Sequence, residues 1–141
     1  MIIAIPQLNY KAGDIQGNSE KIISAIQKAQ NQKAELILFP ELAVSGALPQ
    51  DLLEREEFVN ACRMAVEKIA ATCTQIAAIV GAPNLDSENG IMYNSAYFIQ
   101  HGEVVDGVHK NILSDYDIFS ESRYFIAGED NTPIRYKNQN I

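Results

Sequence analysis

The sequence predicts an α/β fold built in layers, and three observations predict it. Short apolar runs of strand length stand at residues 2–5, 36–39 and 76–81. Between them lie stretches whose apolar residues recur at helical spacing. Strand and helix therefore alternate along the first half of the chain, the order that gives sheets with helices packed on them. The second half then changes character to a hairpin followed by a long loop.

Taken in order, Ile2, Ile3, Ala4 and Ile5 read as a strand covered on both faces. A polar loop with Gly13, Asp14 and Gly17 follows, and Asn18 is the expected N-cap of a helix running to about Gln32. Ile22, Ile26 and Ala29 mark its inner face, widened by Ile23, while Glu20, Lys21, Gln27 and Lys28 face outward. Leu36 to Phe39 form a second buried strand, stopped by Pro40. A second helical region begins near Asp51, its better part spanning 58–73 with Phe58, Cys62, Ala65, Val66 and Ile69 on one face. Residues 76–81 are the third buried strand. After a turn-rich stretch at 86–90, residues 92–99 and 103–108 flank His101-Gly102 as an antiparallel hairpin. Met64 and Met92 are expected in the core. Residues 110–131 are too long and irregular for a plain connector, and long loops of this kind usually carry function. Pro133 to Tyr136 begin a last strand-like segment, and Asn140-Ile141 end the chain without a visible turn or cap.

Composition narrows the function classes. The 141 residues are 47% hydrophobic and 21% charged, which is globular rather than disordered. Eighteen acidic against eleven basic residues give a net charge of −7, which disfavours nucleic acid and anionic membranes as partners. No secretory leader or membrane span is legible, so a cytoplasmic location is expected. Cys62 and Cys73, the two cysteines, lack a disulfide framework spacing and are both expected within the second helix as reduced, structural residues.

Three acid–base residues sit where strands give way to loops or beyond. Glu41 follows the second strand through Pro40, Lys110 follows the hairpin's second strand, and Glu121 lies eleven residues further on. Ligand crevices in open α/β folds form outside the carboxyl ends of strands, where the first two stand. Individually each has a plain alternative: a solvated loop glutamate, a surface lysine, and a glutamate paired with Arg123. His101 reads most simply as a hairpin-turn residue and His109 as a strand-end residue. Tyr124 and Phe125 read as satellite core packing.

Order and surrounding motif lift the three above those readings. Phe39-Pro40-Glu41-Leu42 with Ser45-Gly46 resembles the glutamate motif of the nitrilase superfamily, and His109-Lys110-Asn111-Ile112-Leu113 is similar to its lysine motif. The run from Tyr116 through Glu121 to Phe125 resembles, more narrowly, the glutaminase domain of glutamine-dependent NAD synthetases. Gln7-Leu8-Asn9, Gly13-Asp14, Gly17-Asn18 and Pro49-Gln50-Asp51-Leu52-Leu53 point the same way, so the resemblance runs along almost the whole chain.

That resemblance implies an α-β-β-α sandwich of the nitrilase (carbon-nitrogen hydrolase) type with a Glu-Lys-Cys triad, this chain being part of it. Glu41 would be the general base, Lys110 the oxyanion stabiliser and Glu121 the second glutamate, orienting Lys110. Tyr116 would contact glutamine, with Phe119 as a neighbouring pocket wall. Glu41 and Lys110 are expected to converge from two neighbouring strand tips. The cysteine nucleophile is expected beyond Ile141, so residues 1–141 read as the N-terminal part of the domain, truncated before the nucleophile strand and inactive alone. No metal is expected here. ATP and Mg would belong to a further synthetase domain, and glutamine, deamido-NAD and ATP would be the partners of a homo-oligomer. Ala47 departs from the family, whose members often carry an aromatic there. Two alternatives stay open: a free-standing nitrilase-type amidase or carbamoylase, and a non-catalytic relative serving subunit assembly.

Overall fold

A computed structural model describes residues 1–130 and 132–141, so Asn131, the far bound of the expected long loop, lies outside the described residues. Strand β1 is Ile3–Ala4, α1 is Ile15–Asn31, β2 is Leu36–Leu38, and α2 is Glu56–Ala70, entered through a 3-10 turn at Gln50–Glu54. Strands β3 (Ala77–Asp86), β4 (Ile91–Gln100) and β5 (Glu103–His109) follow, then a 3-10 turn at Glu121–Arg123 and the small hairpin β6 (Arg135–Tyr136) and β7 (Gln139–Asn140). The main sheet has the order β1-β2-β3-β4-β5, parallel through β3 and antiparallel from there on.

Both helices cover one face of this sheet. Ile22, Ile26 and Ala29 of α1 and Cys62, Ala65, Val66 and Ile69 of α2 pack with Ile37, Ala78, Val80 and Ile99 into the main core. The period of 3.6 on the helices and of 2 on the strands brings these residues to one layer, as their spacing foretold. Sheet and helices together form the helix-on-sheet half of the nitrilase-type sandwich. The opposite face carries Leu36, Ala77 and Phe98, over which Ile134 and Tyr136 of the small hairpin close. Tyr136 holds the hairpin there by donating its hydroxyl to the Glu35 carbonyl at 2.8 Å and by an edge contact on Phe98.

Several expectations need correcting. Asp14, not Asn18, caps α1, its carboxylate accepting the Gly17 N–H at 3.0 Å. Asn18 is instead wholly buried and ties two loops, exchanging hydrogen bonds with the Lys11 backbone and donating to the Val44 carbonyl. Strand β1 is shorter than expected and not covered on both faces: Ile2, Ile3 and Ile5 are exposed, because β1 is an edge strand with β2 as its partner. An apolar run signals a strand but not what covers it. Strand β3 continues past Gly81 to Asp86 in register with β4, through Pro83 opposite Asn94. Helix α2 ends at Ala70, so Cys73 sits in the turn beyond it, buried nonetheless. Met64 lies on the outer face of α2 at 62% exposure rather than in the core. The chain end does contain a turn: Lys137 and Asn138 both have positive φ and join β6 to β7, and Ile134 and Ile141 bond each other's backbone twice.

Candidate active site

Glu41 is delivered by a sharp turn at the end of β2. Phe39 still donates to the Ile79 carbonyl, but Pro40 has no N–H to continue the ladder, and Leu42 takes a positive φ of 51°. A non-glycine residue in that region marks local strain, and strain of this kind gathers at functional sites. The turn lies directly on Gly81 of β3: a Cβ there would come within 2.5 Å of the Pro40 oxygen and 2.8 Å of the Glu41 Cα. Gly81 is thus the space into which the Glu41 backbone fits. Downstream, the Gly13 N–H bonds the Ser45 carbonyl and Asn18 holds Val44, so the turn is braced from both sides.

Lys110 is fixed by the hairpin. Its N–H continues the β5 ladder to the Asn94 carbonyl at 2.8 Å, and its carbonyl receives the Gly128 N–H at 2.9 Å. The residue before it, His109, closes β5 with its ring stacked on Tyr93 at 4.1 Å and its Nδ1 2.7 Å from the Ser95 hydroxyl. Burial holds the His109 imidazole below its ordinary pKa. Glu121 opens the second 3-10 turn, and its side chain is 10% exposed.

These three side chains meet. Lys110 Nζ lies 2.9 Å from Glu41 Oε1 and 2.7 Å from Glu121 Oε2, bridging the two carboxylates. The strand tips that carry Glu41 and Lys110 are not neighbours, contrary to expectation. β2 and β5 are separated by β3 and β4, and β5 runs antiparallel to β4, which restores the direction of β2. Their carboxyl ends therefore face the same side of the sheet, and Lys110 spans the gap with its side chain. An open cleft of about 290 Å³ lies there, bordered by Pro40, Glu41, Gly81, Asn94, Ser95 and Lys110.

The electrostatics are self-consistent. Burial works against the charge on Lys110, but the hydrogen bonds it donates to Glu121 and Glu41 outweigh it and hold the ammonium above its ordinary pKa. Burial likewise works against an ionised Glu121, yet the bonds from Lys110 and the Ser114 N–H win and lower its pKa. The glutamates differ in what remains available. Both oxygens of Glu121 are engaged, Oε1 by Asn94 and Oε2 by Lys110 and Ser114. Glu41 takes its bonds on Oε1, and its Oε2 accepts none among the described residues. Its side chain is also 51% exposed, toward the cleft. Glu41 is equipped to take a proton and Glu121 is equipped to hold a cation.

Asn94 was not anticipated from sequence. It is 3% exposed, lies on β4, and its side-chain amide reaches both Glu41 and Glu121. The signal that could have found it is a polar Asn-Ser pair inside an otherwise apolar strand. Tyr116 and Phe119 stand together, ring centroids 5.4 Å apart, but neither borders the cleft, and Tyr116 is 67% exposed. Arg123 does not pair with Glu121; it binds Asp51 and Glu54 of the first 3-10 turn. Tyr124 and Phe125 pack, as expected, with Leu42, Leu53 and Met92 beneath the loop. Cys62 and Cys73 are unsuited to nucleophilic work, because burial pushes their thiols up to about 12 and about 11.

The family description for carbon-nitrogen hydrolases matches residues 2–136. The chain belongs to the carbon-nitrogen hydrolase family. A glutamine-dependent NAD(+) synthetase of Xylella fastidiosa is 40% identical over 140 residues, which are 99% of this chain and 25% of the relative. The structure of such a synthetase from Acinetobacter baumannii, in complex with ADP, superposes with a TM-score of 0.89 at 32% identity, covering 96% of this chain and 26% of the other. An amidase from Nesterenkonia sp. AN1 superposes with a TM-score of 0.80 at 27% identity, covering 98% of this chain and 54% of the amidase. The chain thus spans about a quarter of the length of the NAD synthetases that it resembles.

Proposed function

We propose that residues 1–141 are the N-terminal part of a glutaminase domain that releases ammonia from glutamine for NAD synthesis. The carrying observation is the Lys110 bridge: one ammonium within 2.9 Å of Glu41 and 2.7 Å of Glu121, with one oxygen of Glu41 left to the cleft. A thiol near its free pKa is only a few per cent thiolate at neutral pH, so a base and a cation beside it raise its reactivity. The nucleophile is a cysteine from outside these residues, since the thiols of Cys62 and Cys73 are buried. A mutant of the related Nesterenkonia amidase supports a sulfur nucleophile: its structure shows the result of Michael addition of acrylamide at the active-site cysteine.

In this reading Glu41 takes the thiol proton as sulfur adds to the carboxamide carbon of glutamine. Lys110 meets the oxyanion that forms, a donor whose loss costs roughly 2.7–4 kcal/mol in comparable sites. Glu41 returns the proton to the departing nitrogen, and ammonia leaves a glutamyl thioester. A water, deprotonated by the same carboxylate, then frees glutamate and the thiol. Glu121 takes no proton; it keeps Lys110 charged and aimed. Tyr116 and Phe119 contact glutamine in this reading, a role that rests on motif similarity.

ATP and magnesium act elsewhere in the whole protein, where deamido-NAD is amidated. Among the described residues no group of three or more His, Cys, Asp or Glu side chains could hold a metal, and both site carboxylates face an ammonium. No step here runs through a metal. No helix among the described residues is long and apolar enough to cross a membrane. A cytoplasmic homo-oligomer is the assembly we infer, its association supported by the exposed side chains of Ile2, Ile3 and Ile5 in and beside β1.

The test is an assay of the complete protein with glutamine, ATP and deamido-NAD. Stoichiometric glutamate and NAD are expected. Hydrolysis of simple amides with no action on glutamine would overturn the reading in favour of a free-standing amidase, to which the Nesterenkonia likeness also lends support.

A further inference from the structure

We propose that Asn94 is a positioning residue that uses both N–H groups of its side-chain amide to set which oxygen of Glu41 handles protons. This deepens the reading above, and its geometric part stands without it.

Asn94 Nδ2 donates to Glu41 Oε1 at 2.5 Å and to Glu121 Oε1 at 3.1 Å. Lys110 Nζ donates to Glu41 Oε1 and Glu121 Oε2. The four side chains close a ring in which two donors alternate with two carboxylates. The orientation of the amide follows from chemistry: its carbonyl oxygen, turned toward two carboxylates, would find only acceptors. A primary amide is also the one neutral side-chain group with two donors on a single nitrogen, so it can serve both carboxylates without adding charge.

The backbone fixes this amide independently of the ring. Asn94 sits on β4 opposite Pro83 of β3, and its carbonyl receives the Lys110 N–H at 2.8 Å. Asn94 and Lys110 are thus locked to each other through the ladder while their side chains share the same two partners. With Oε1 of Glu41 taken twice, the carboxylate cannot rotate freely, and Oε2 is presented to the cleft. Without Asn94, Lys110 could draw either oxygen of Glu41 inward, and the base would lose its aim.

Three variants and a spectroscopic measurement on the complete protein test this. Asn94→Ala removes both donors, and Asn94→Ser, smaller and able to donate once, is the tolerant control for folding. For glutamine hydrolysis, Asn94→Ala is expected to lower kcat about 10²-fold with KM within threefold, and to move the acidic limb of the kcat/KM profile to higher pH. Asn94→Ser is expected between that variant and the unaltered protein. Asn94→Asp places a third carboxylate against two and is expected to lose more than Asn94→Ala. Unchanged kcat and an unmoved acidic limb in both Ala and Ser variants would overturn the proposal. The NMR arm needs neither turnover nor a variant at position 94. The two side-chain amide protons of Asn94 should shift separately, one in Glu41→Gln and the other in Glu121→Gln. Insensitivity of both protons would overturn the ring whatever the substrate proves to be; shifts of both without glutaminase activity would uphold the ring and reject the glutaminase reading.

Discussion

Glu121 and Ser114 bond one another twice: the Glu121 N–H donates to the Ser114 carbonyl at 3.1 Å, and the Ser114 N–H donates to Glu121 Oε2 at 2.6 Å. This reciprocal pair closes the loop between them and turns the Glu121 side chain toward Lys110. It explains how a residue on an irregular segment can be placed as firmly as one on a strand.

Glu121→Gln follows directly. A carboxamide can keep one acceptor but must turn an NH₂ either toward the Asn94 amide on the Oε1 side or toward Lys110 and Ser114 on the Oε2 side, all of them donors. Stability should fall by about 1–3 kcal/mol, read by urea denaturation, and kcat of the complete enzyme should fall at least tenfold. An unchanged midpoint would show that the loop holds its shape without the carboxylate.

Gly81→Ala tests the backbone that carries Glu41. The added Cβ would meet the Pro40 oxygen, the Leu42 nitrogen at 2.6 Å and the Glu41 Cα, all backbone atoms that cannot rotate away. A loss of about 1–3 kcal/mol is expected, with activity falling more than stability if Glu41 is the base we propose, since the change displaces it. Full activity in a folded Gly81→Ala protein would contradict the close packing described.

The pH dependence of stability should show two edges. Glu121 gives up its proton more readily folded than unfolded, so between its lowered pKa and the ordinary glutamate value of about 4.3 the unfolded chain binds more protons. Its contribution is present above that ordinary value and is lost as pH falls through the lowered one. Lys110 has the opposite sign: its pKa is raised, so its contribution is present below the ordinary lysine value of about 10.4 and is lost as pH rises through the raised one. Denaturation midpoints measured across pH should fall at both edges, and Lys110→Met should weaken both, the buried thiols of Cys62 and Cys73 keeping part of the alkaline one.

Arg123, by contrast, should matter little. Its partners Asp51 and Glu54 are exposed, and surface pairs of this kind contribute little. Arg123→Ala should leave thermal stability unchanged within error, and a large loss would mean that the pairing clamps the Glu121 loop.

Much of this was legible in sequence where one physical period dominates. The inner faces of α1 and α2 and the β4–β5 hairpin follow from spacings that only one geometry satisfies. Glu41 and Lys110 could be placed at strand ends because Pro40 and the hairpin mark those ends. Their convergence could not be read so well, since it depends on β3 and β4 reversing direction between them. Asn94 escaped notice because a buried polar residue on a strand declares itself only through its partners, which lie 53 and 27 residues away. Asn18 misled for a related reason: its side chain suits an N-cap, but Asp14 reached the free N–H first and Asn18 bonds across loops. Met64 and Ile3 show that apolar character does not decide exposure on an outer helix face or an edge strand.

The central claim is that Glu41 is the proton acceptor, presented by Lys110 and Asn94 with one oxygen free. The most direct measurement is single-turnover formation of the glutamyl thioester in Glu41→Gln, a change that keeps the shape and removes the basicity. The account predicts a rate lower by about 10³-fold or more, with glutamine still bound. A thioester formed within tenfold of the unaltered rate would contradict it.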